Sequence, residues 1–436
     1  MLGLRKPLFM MLLTALIVTA PACQSNGKDV KRDAAVKEIT SQPVTLKVMP
    51  YSVNLADSEF NQLMAEPVKQ KYPNITLELV RMSSNDELEK YVASGEMADI
   101  VFTGQGLRAL LELNVATDLN PLIKEHGIDL GRFNPQAISA VKEYAPRGEL
   151  FMLPFSINFS VLFYNKDLFD KFAVSYPKDG MLWEEAIELG KKLTRKEDGI
   201  QYLGLNAQSI THLASQLSLT YVDPKTNKVS FLTDGWQRVF RLYAAIAELS
   251  TNLSGNGGLN NLFLKDRVLA MFGDYGAKIG QIQELADQGN PINWDMAAMP
   301  VHSVAPGKAF GFVAQSFVLS AMSKNKEAAL LVMDYLTSEE HQLKIVKKGR
   351  QSALQGSKFQ EGFGSELSVL RGKNVQAIFK NAPAPYPQPS PYSDDLDNQV
   401  KKELTSAANA VASGKKDVNT ALRDLEEIAA RIYSAP

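Results

Sequence analysis

Strand and helix patterns alternate without a break between Thr45 and Leu113, and this alternation constrains the fold more than any other feature of the chain. Thr45-Leu46-Lys47-Val48-Met49 reads as a short strand, and a helix is predicted from Asp57 to Lys71, closed by Tyr72-Pro73-Asn74. Ile75 to Val80 alternates apolar and polar residues as a sheet element does. Ser84 or Asn85 can cap a helix over 86–94, and Gly95 stops it. Asp99-Ile100-Val101-Phe102 follows as a buried strand, then a glycine-rich loop and a helix to Leu113. Such an order predicts α/β layering with a parallel core. Further strands are expected at 149–154, 161–164, 295–299 and 316–319. Helices are expected near 183–193, 206–219, 235–249, 276–287 and 325–347. A helical tail over 394–432 follows a proline-rich stretch at 383–391, and no fixed-period repeat is visible.

The N-terminus runs from basic (Arg5, Lys6) to apolar (Leu8 to Val18) to small (Thr19-Ala20-Pro21-Ala22), and Cys23 comes next. This is the layout of a secretory signal, with an apolar part too short for a comfortable membrane span. A cysteine directly after the small residues is the arrangement of a bacterial lipobox, although Ala20 stands where that motif usually has leucine. Residues 1–22 are therefore expected to be a signal peptide, and Cys23 the lipidation site and membrane anchor. The alternative is a plain secreted protein with an incidental cysteine. Residues 24–43 are polar and charged and read as a flexible tether.

Removing residues 1–22 leaves 414 of 436, more than one hydrophobic core usually supports, so two lobes are expected. The 47 lysines and arginines nearly balance the 48 acids, so no basic field invites nucleic acid. With Cys23 carrying lipid, no disulfide remains to be formed. His126, His212, His302 and His341 lie far apart, without metal-ligand spacing, and neither a metal nor another cofactor is expected.

Local motifs narrow the function mostly by exclusion. Gly104-Gln105-Gly106-Leu107-Arg108-Ala109 mimics a dinucleotide fingerprint but follows the third strand rather than the first, so a tight strand-to-helix turn is the better reading. Its place at the carboxyl end of a strand still suits a ligand contact. Ser323-Lys324-Asn325-Lys326 has the S-x-x-K form, with Lys225-Thr226-Asn227 faintly like K-T-G. The chain order of the two is wrong for a penicillin-recognising enzyme, and Ser323 reads as a helix N-cap. There is no nucleophile elbow, H-E-x-x-H or Walker loop, so no catalytic residue is nominated. Trp183, Trp236 and Trp294 open helices or a strand and read as core. Tyr275, flanked by Gly273 and Gly276 in a loop after an apolar strand, is a candidate ligand platform. Tyr386 and Tyr392 lie in the proline-rich loop and are either ligand contacts or loop packing.

Several stretches together resemble one family. They are Gly95-Glu96-Met97-Ala98-Asp99-Ile100-Val101-Phe102, Glu149-Leu150-Phe151-Met152-Leu153-Pro154, Tyr164-Asn165-Lys166-Asp167-Leu168-Phe169, Leu182-Trp183-Glu184-Glu185-Ala186 and Leu269-Ala270-Met271-Phe272. Lys326-Glu327-Ala328-Ala329-Leu330, Tyr335-Leu336-Thr337-Ser338-Glu339 and Ala412-Ser413-Gly414 continue the order. The chain is similar in this to the extracellular solute-binding proteins of ABC transporters, specifically the maltose-binding-like sugar group. The resemblance implies a periplasmic-binding-protein type II clamp whose chain crosses between the lobes near Pro154, near Ala305 to Phe310, and near Arg350. Lobe 1 would comprise 44–154 and 310–350, and lobe 2 would comprise 155–309 and 351–436. The implied ligand-facing residues are Tyr51, Ser52, Thr103, Gln105, Asn158, Asp274, Tyr275, Phe312 and Tyr386. Thr103 and Asn158 replace a tryptophan and a glutamate of the maltose-binding protein, which points away from maltodextrins as the preferred ligand.

The chemistry suits a sugar, whose apolar C–H face stacks on aromatic rings while its hydroxyls need planar polar partners. The resemblance implies a monomeric, exported receptor that passes a mono- or oligosaccharide to membrane permease subunits. An exported hydrolase, or a sensory or adhesion lipoprotein using the same clamp, are the alternatives.

Overall fold

The computed structural model describes residues 36–434, apart from positions 54, 85, 86, 105, 144, 146, 251–257, 386, 388, 389. The expected signal peptide, Cys23 and most of the expected tether lie outside the described residues. Of that tether, residues 36–39 form a helical turn that carries Ile39 onto the core. Asn74 ties the turn down by donating its amide to the Thr40 carbonyl at 2.8 Å. One apolar side chain on the right face is enough to dock a turn that its composition marks as polar.

The strands, in chain order, are β1 (Val44–Tyr51), β2 (Ile75–Leu79), β3 (Ile100–Thr103), β4 (Leu153–Ile157) and β5 (Ser160–Asn165). Next come β6 (Arg195–Glu197), β7 (Ile200–Asn206), β8 (Leu269–Tyr275) and β9 (Trp294–Ala298). The last are β10 (Lys308–Gly311), β11 (Ala314–Leu319), β12 (Gln351–Ser352) and β13 (Ala382–Ala384). A six-stranded sheet has the order β12-β4-β11-β3-β1-β2, and a five-stranded sheet the order β6-β7-β8-β5-β9. A parallel pair, β10 with β13, stands apart.

The expected parallel core is only half right. β2, β1 and β3 are parallel, as the alternation demands. β11 and β12 enter the same sheet antiparallel, against β3 and β4. Both arrive from residues more than a hundred positions away, a pairing that no local pattern encodes. The strand expected at 149–154 is displaced, because its ladder partners engage only from Leu153 to Ile157. The chain therefore passes from the first sheet to the second between Ile157 and Ser160. It returns between Gly311 and Ala314.

Helix signals are mostly realised. The helix expected over 57–71 forms, but a π turn at Asn61–Ala65 interrupts it just before Pro67. Proline has no N–H to donate four residues back, and the wider turn absorbs that missing bond. Gly95 ends the Leu88–Ser94 helix at φ +73°, a conformation glycine adopts at little cost. The expected tail is two helices, Asp394–Ala412 and Val418–Tyr433.

The inner strands of both sheets, such as β3, β4, β5, β8 and β11, are buried on two faces, and strand parity sorts the side chains between them. Val161 and Phe163 of β5 join an apolar cluster that extends through the six-stranded sheet. Leu162 and Tyr164 join a second cluster, roofed by the Trp183–Leu193, Asp234–Leu249 and C-terminal helices. The three tryptophans are core as expected, each about 1% exposed. Trp183 donates its indole N–H to Gln216 Oε1 at 2.8 Å.

Candidate functional site

A cleft of about 1720 Å³ opens where the carboxyl ends of β1 and β3 face β8 and the Asp394–Ala412 helix, with the crossing strands as its floor. Tyr51, the last residue of β1, and Ser52 form one wall. Ser52 turns the chain at φ 51°, in the left-handed region that non-glycine residues seldom adopt. The Tyr51 ring lies over Gly106, where a β-carbon would stand 2.3 Å from it. That close approach is why this turn carries glycine. Thr103 is fully buried, and its hydroxyl accepts the Gly106 N–H at 3.0 Å. It shapes the loop from beneath and does not line the cleft.

The floor is built at the crossings. The Asn158 N–H donates to the Val313 carbonyl at 2.9 Å, so the outgoing and returning strands are tied together. Asn158 itself lines the cleft. On the return, alternate residues Gly311, Val313 and Gln315 face the cleft. Phe312 points the other way, 1% exposed, into a small cluster with Ala137, Ile157 and Ala314. Gln315 holds a polar network: its Oε1 accepts from the Ser156 hydroxyl at 2.9 Å and from Arg350 Nη1 at 2.9 Å. Arg350 also pairs with Glu59, and burial lowers its guanidinium to about 10, leaving it charged at neutral pH.

The opposite wall carries the aromatic surface. Tyr275 ends β8, meets His212 edge-on at 5.5 Å and Phe310 at 5.9 Å, and donates its hydroxyl to the Gly311 carbonyl at 3.4 Å. His212 shares a 2.7 Å hydrogen bond between Nδ1 and the Ser209 hydroxyl. Burial holds its pKa below the ordinary value, against the pull of Asp274, so the ring is neutral at pH 7. Asp274 is next to Tyr275 but on the other side of the strand, paired with Lys278 at 3.0 Å in nearly complete burial. It faces away from the cleft.

Four of the expected residues therefore line one cleft: Tyr51, Ser52, Asn158 and Tyr275. Thr103, Asp274 and Phe312 are packed behind it, and Gln105, Tyr386 and Cys23 lie outside the described residues. Sequence reasoning missed Glu59, Gln62, Arg108, His212, Tyr221, Arg350 and the acids Asp394, Asp395 and Asp397, all of which line the cleft. A signal existed for the acids, since Ser393-Asp394-Asp395 marks a helix start. Ser323 is not the N-cap itself; Asn325 holds that place. The Ser323 hydroxyl donates to Asp99 Oδ1 at 2.6 Å, which makes it a structural clamp. Among the described residues no cluster of three or more His, Cys, Asp or Glu could hold a metal, and no helix is long and apolar enough to cross a membrane.

A family model described as bacterial extracellular solute-binding protein matches residues 53–343. The chain belongs to that family. A relative of this solute-binding protein, a probable ABC transporter-binding protein of Deinococcus radiodurans, is 23% identical over 337 residues, 71% of this chain and 77% of that one. An ABC substrate-binding protein of Listeria monocytogenes, solved with cycloalternan, superposes with a TM-score of 0.72 at 19% identity, over 91% of this chain and 100% of that one. A solute-binding protein of Thermotoga lettingae, solved with α-D-tagatose, gives 0.68 at 18% identity, over 89% and 99%. The sugar-binding protein MalE of Xanthomonas citri gives 0.64 at 16% identity, over 89% and 97%. These likenesses establish the fold: a two-lobed α/β clamp, as the sequence resemblance implied.

Proposed function

We propose that this solute-binding protein is the receptor of an ABC importer, that it captures a mono- or oligosaccharide between its lobes, and that it performs no catalysis. The observation that carries the reading is the pairing, across one cleft, of an aromatic wall with planar polar groups. Tyr275, His212 and Tyr221 offer ring surface, while Asn158 and Gln62 offer amides. Pyranose rings need both, one for the C–H face and the other for the hydroxyls. The cleft exceeds the roughly 300–1000 Å³ of ordinary small-molecule pockets, which favours an oligosaccharide or a cleft that narrows on binding. The sugars in the solved relatives, among them cycloalternan and tagatose, support the class.

The lobes follow the sheets on this reading, with hinges at 157–160 and 311–314 and a third after Ser352, close to the boundaries at 154, 310 and 350. Closure would be driven by contacts made only in the closed state, and permease subunits would read that state. Residues 1–22 would direct export, and acylated Cys23 would hold the monomer at the outer face of a membrane. A thermal-shift screen of the mature protein against mono- and oligosaccharides tests the function. A saccharide at a hundred times its Kd adds about 2.7 kcal/mol of stability. A panel of sugars that leaves the melting temperature unmoved contradicts the proposal.

A further inference from the structure

Arg108 stands near the start of the Leu107–Glu112 helix, directly after β3 on the first-lobe side of the cleft. Its guanidinium reaches the segment that leads into the Asp394–Ala412 helix on the other side. Nη2 donates to the Ser390 carbonyl at 2.6 Å, and Nη1 donates to the Tyr392 carbonyl. Nη1 also lies 3.5 Å from Asp394 Oδ1 and 3.5 Å from Asp397 Oδ2, with the arginine side chain only 16% exposed.

The receiving end is braced independently of the arginine. Asp394 and Asp397 are three residues apart on one helix and so share a face. Both sit in the first turn, where the helix dipole favours negative charge. The Tyr433 hydroxyl donates to Asp397 Oδ1 at 2.7 Å, and the Tyr392 ring stacks on Tyr433 at 4.1 Å. Ser390, Asp395, Asn398 and Lys401 of this braced segment line the cleft. Both terminal nitrogens of Arg108 are engaged by protein.

We propose that Arg108 is a positioning residue for ligand capture: it joins the two lobes and holds the Ser390–Lys401 wall over the cleft, rather than contacting the ligand. A planar guanidinium suits this task, because it can address two carbonyls and two carboxylates from one point. With the lobes joined before ligand arrives, a larger fraction of the protein is binding-competent, and the apparent affinity rises in proportion. That last consequence rests on the clamp reading of the cleft; the junction between the lobes does not.

The test is made on the chain with Cys23→Ser, spin-labelled at Lys69→Cys and Lys191→Cys, with the inter-lobe distance measured by electron–electron double resonance without sugar. Arg108→Gln is expected to lengthen and broaden the distance distribution while leaving the melting temperature within a few degrees. Asp394→Asn, which spares both carbonyl contacts, is expected to shift it in the same direction by less, and it decides the matter if Arg108→Gln does not fold. With cycloalternan as probe, Arg108→Gln is expected to raise Kd about tenfold. A sugar-free distance unchanged in the variants overturns the proposal, and so does an affinity loss without any change in that distance, which would make Arg108 a ligand contact. If cycloalternan and the wider sugar panel fail to bind, the receptor reading falls, while the sugar-free distance still decides the role of Arg108.

Discussion

Acidification from pH 7 to pH 5 is expected to destabilise this protein through two buried histidines, His302 and His341. His341 is 1% exposed, with its ring against Phe155 and Tyr335, and His302 is 4% exposed. Burial lowers each to about 4 from the ordinary 6.5; Arg238 adds to the effect at His302, while at His341 burial outweighs the opposing pull of a backbone hydrogen bond with Leu63, with Lys344 reinforcing it and Glu340 opposing it. Between those values the unfolded chain takes up protons that the folded chain refuses. Stability contributed by the neutral rings is therefore present above pH 6.5 and lost as pH falls toward 4. At pH 5 an unfolded histidine is almost fully protonated and the folded one is about one-tenth protonated, which costs about 2 kcal/mol per site relative to pH 7. Urea unfolding at both pH values, on the parent and on His302→Gln and His341→Gln, reads this directly. Each variant is expected to lose about 2 kcal/mol less than the parent between pH 7 and pH 5, whatever fixed cost the substitution carries. Carboxylates titrate alike in all three proteins and cancel. A variant with the same pH dependence as the parent would refute the assignment for that histidine.

Three further outcomes are expected. Tyr275→Ala weakens saccharide binding by about 1–3 kcal/mol, the scale of a lost aromatic face with its hydrogen bond, and Asn158→Ala has an effect of the same order; calorimetric titration measures both. Trp236→Ala removes a ring packed 5.0 Å from Phe231 in the second core, and thermal melts should show a loss of about 3–5 kcal/mol while saccharide still binds. Cys23→Ser should move the protein from the detergent phase to the aqueous phase without changing its melting temperature, and equal partitioning of variant and parent would dismiss the lipid anchor.

The parts of the fold that could be read from sequence are those whose information is local. Gly95 announces its helix end, and apolar–polar alternation announces β2. Tyr275 stood out because two glycines flank it at a strand end. Asp274 and Phe312 show where such reading stops. Each adjoins a cleft residue in sequence, but a strand sends neighbours to opposite faces, and one position decides between cleft and core. Thr103 shows a second limit, since a hydroxyl at a strand end serves equally well to contact a ligand or to cap the loop beneath it. Arg108, Arg350 and Glu59 acquire meaning only from partners brought close by the strand crossings, and Arg108 meets its partners nearly three hundred residues downstream. No spacing rule reaches that far.

On the proposed function, one saccharide binds between two lobes and draws them together. Small-angle scattering of the mature protein, with and without the saccharide found by the thermal screen, tests it most directly. A smaller radius of gyration is expected in the saturated protein, with the parent profile restored on dialysis. A saccharide that binds with full affinity while the radius of gyration stays unchanged would contradict it.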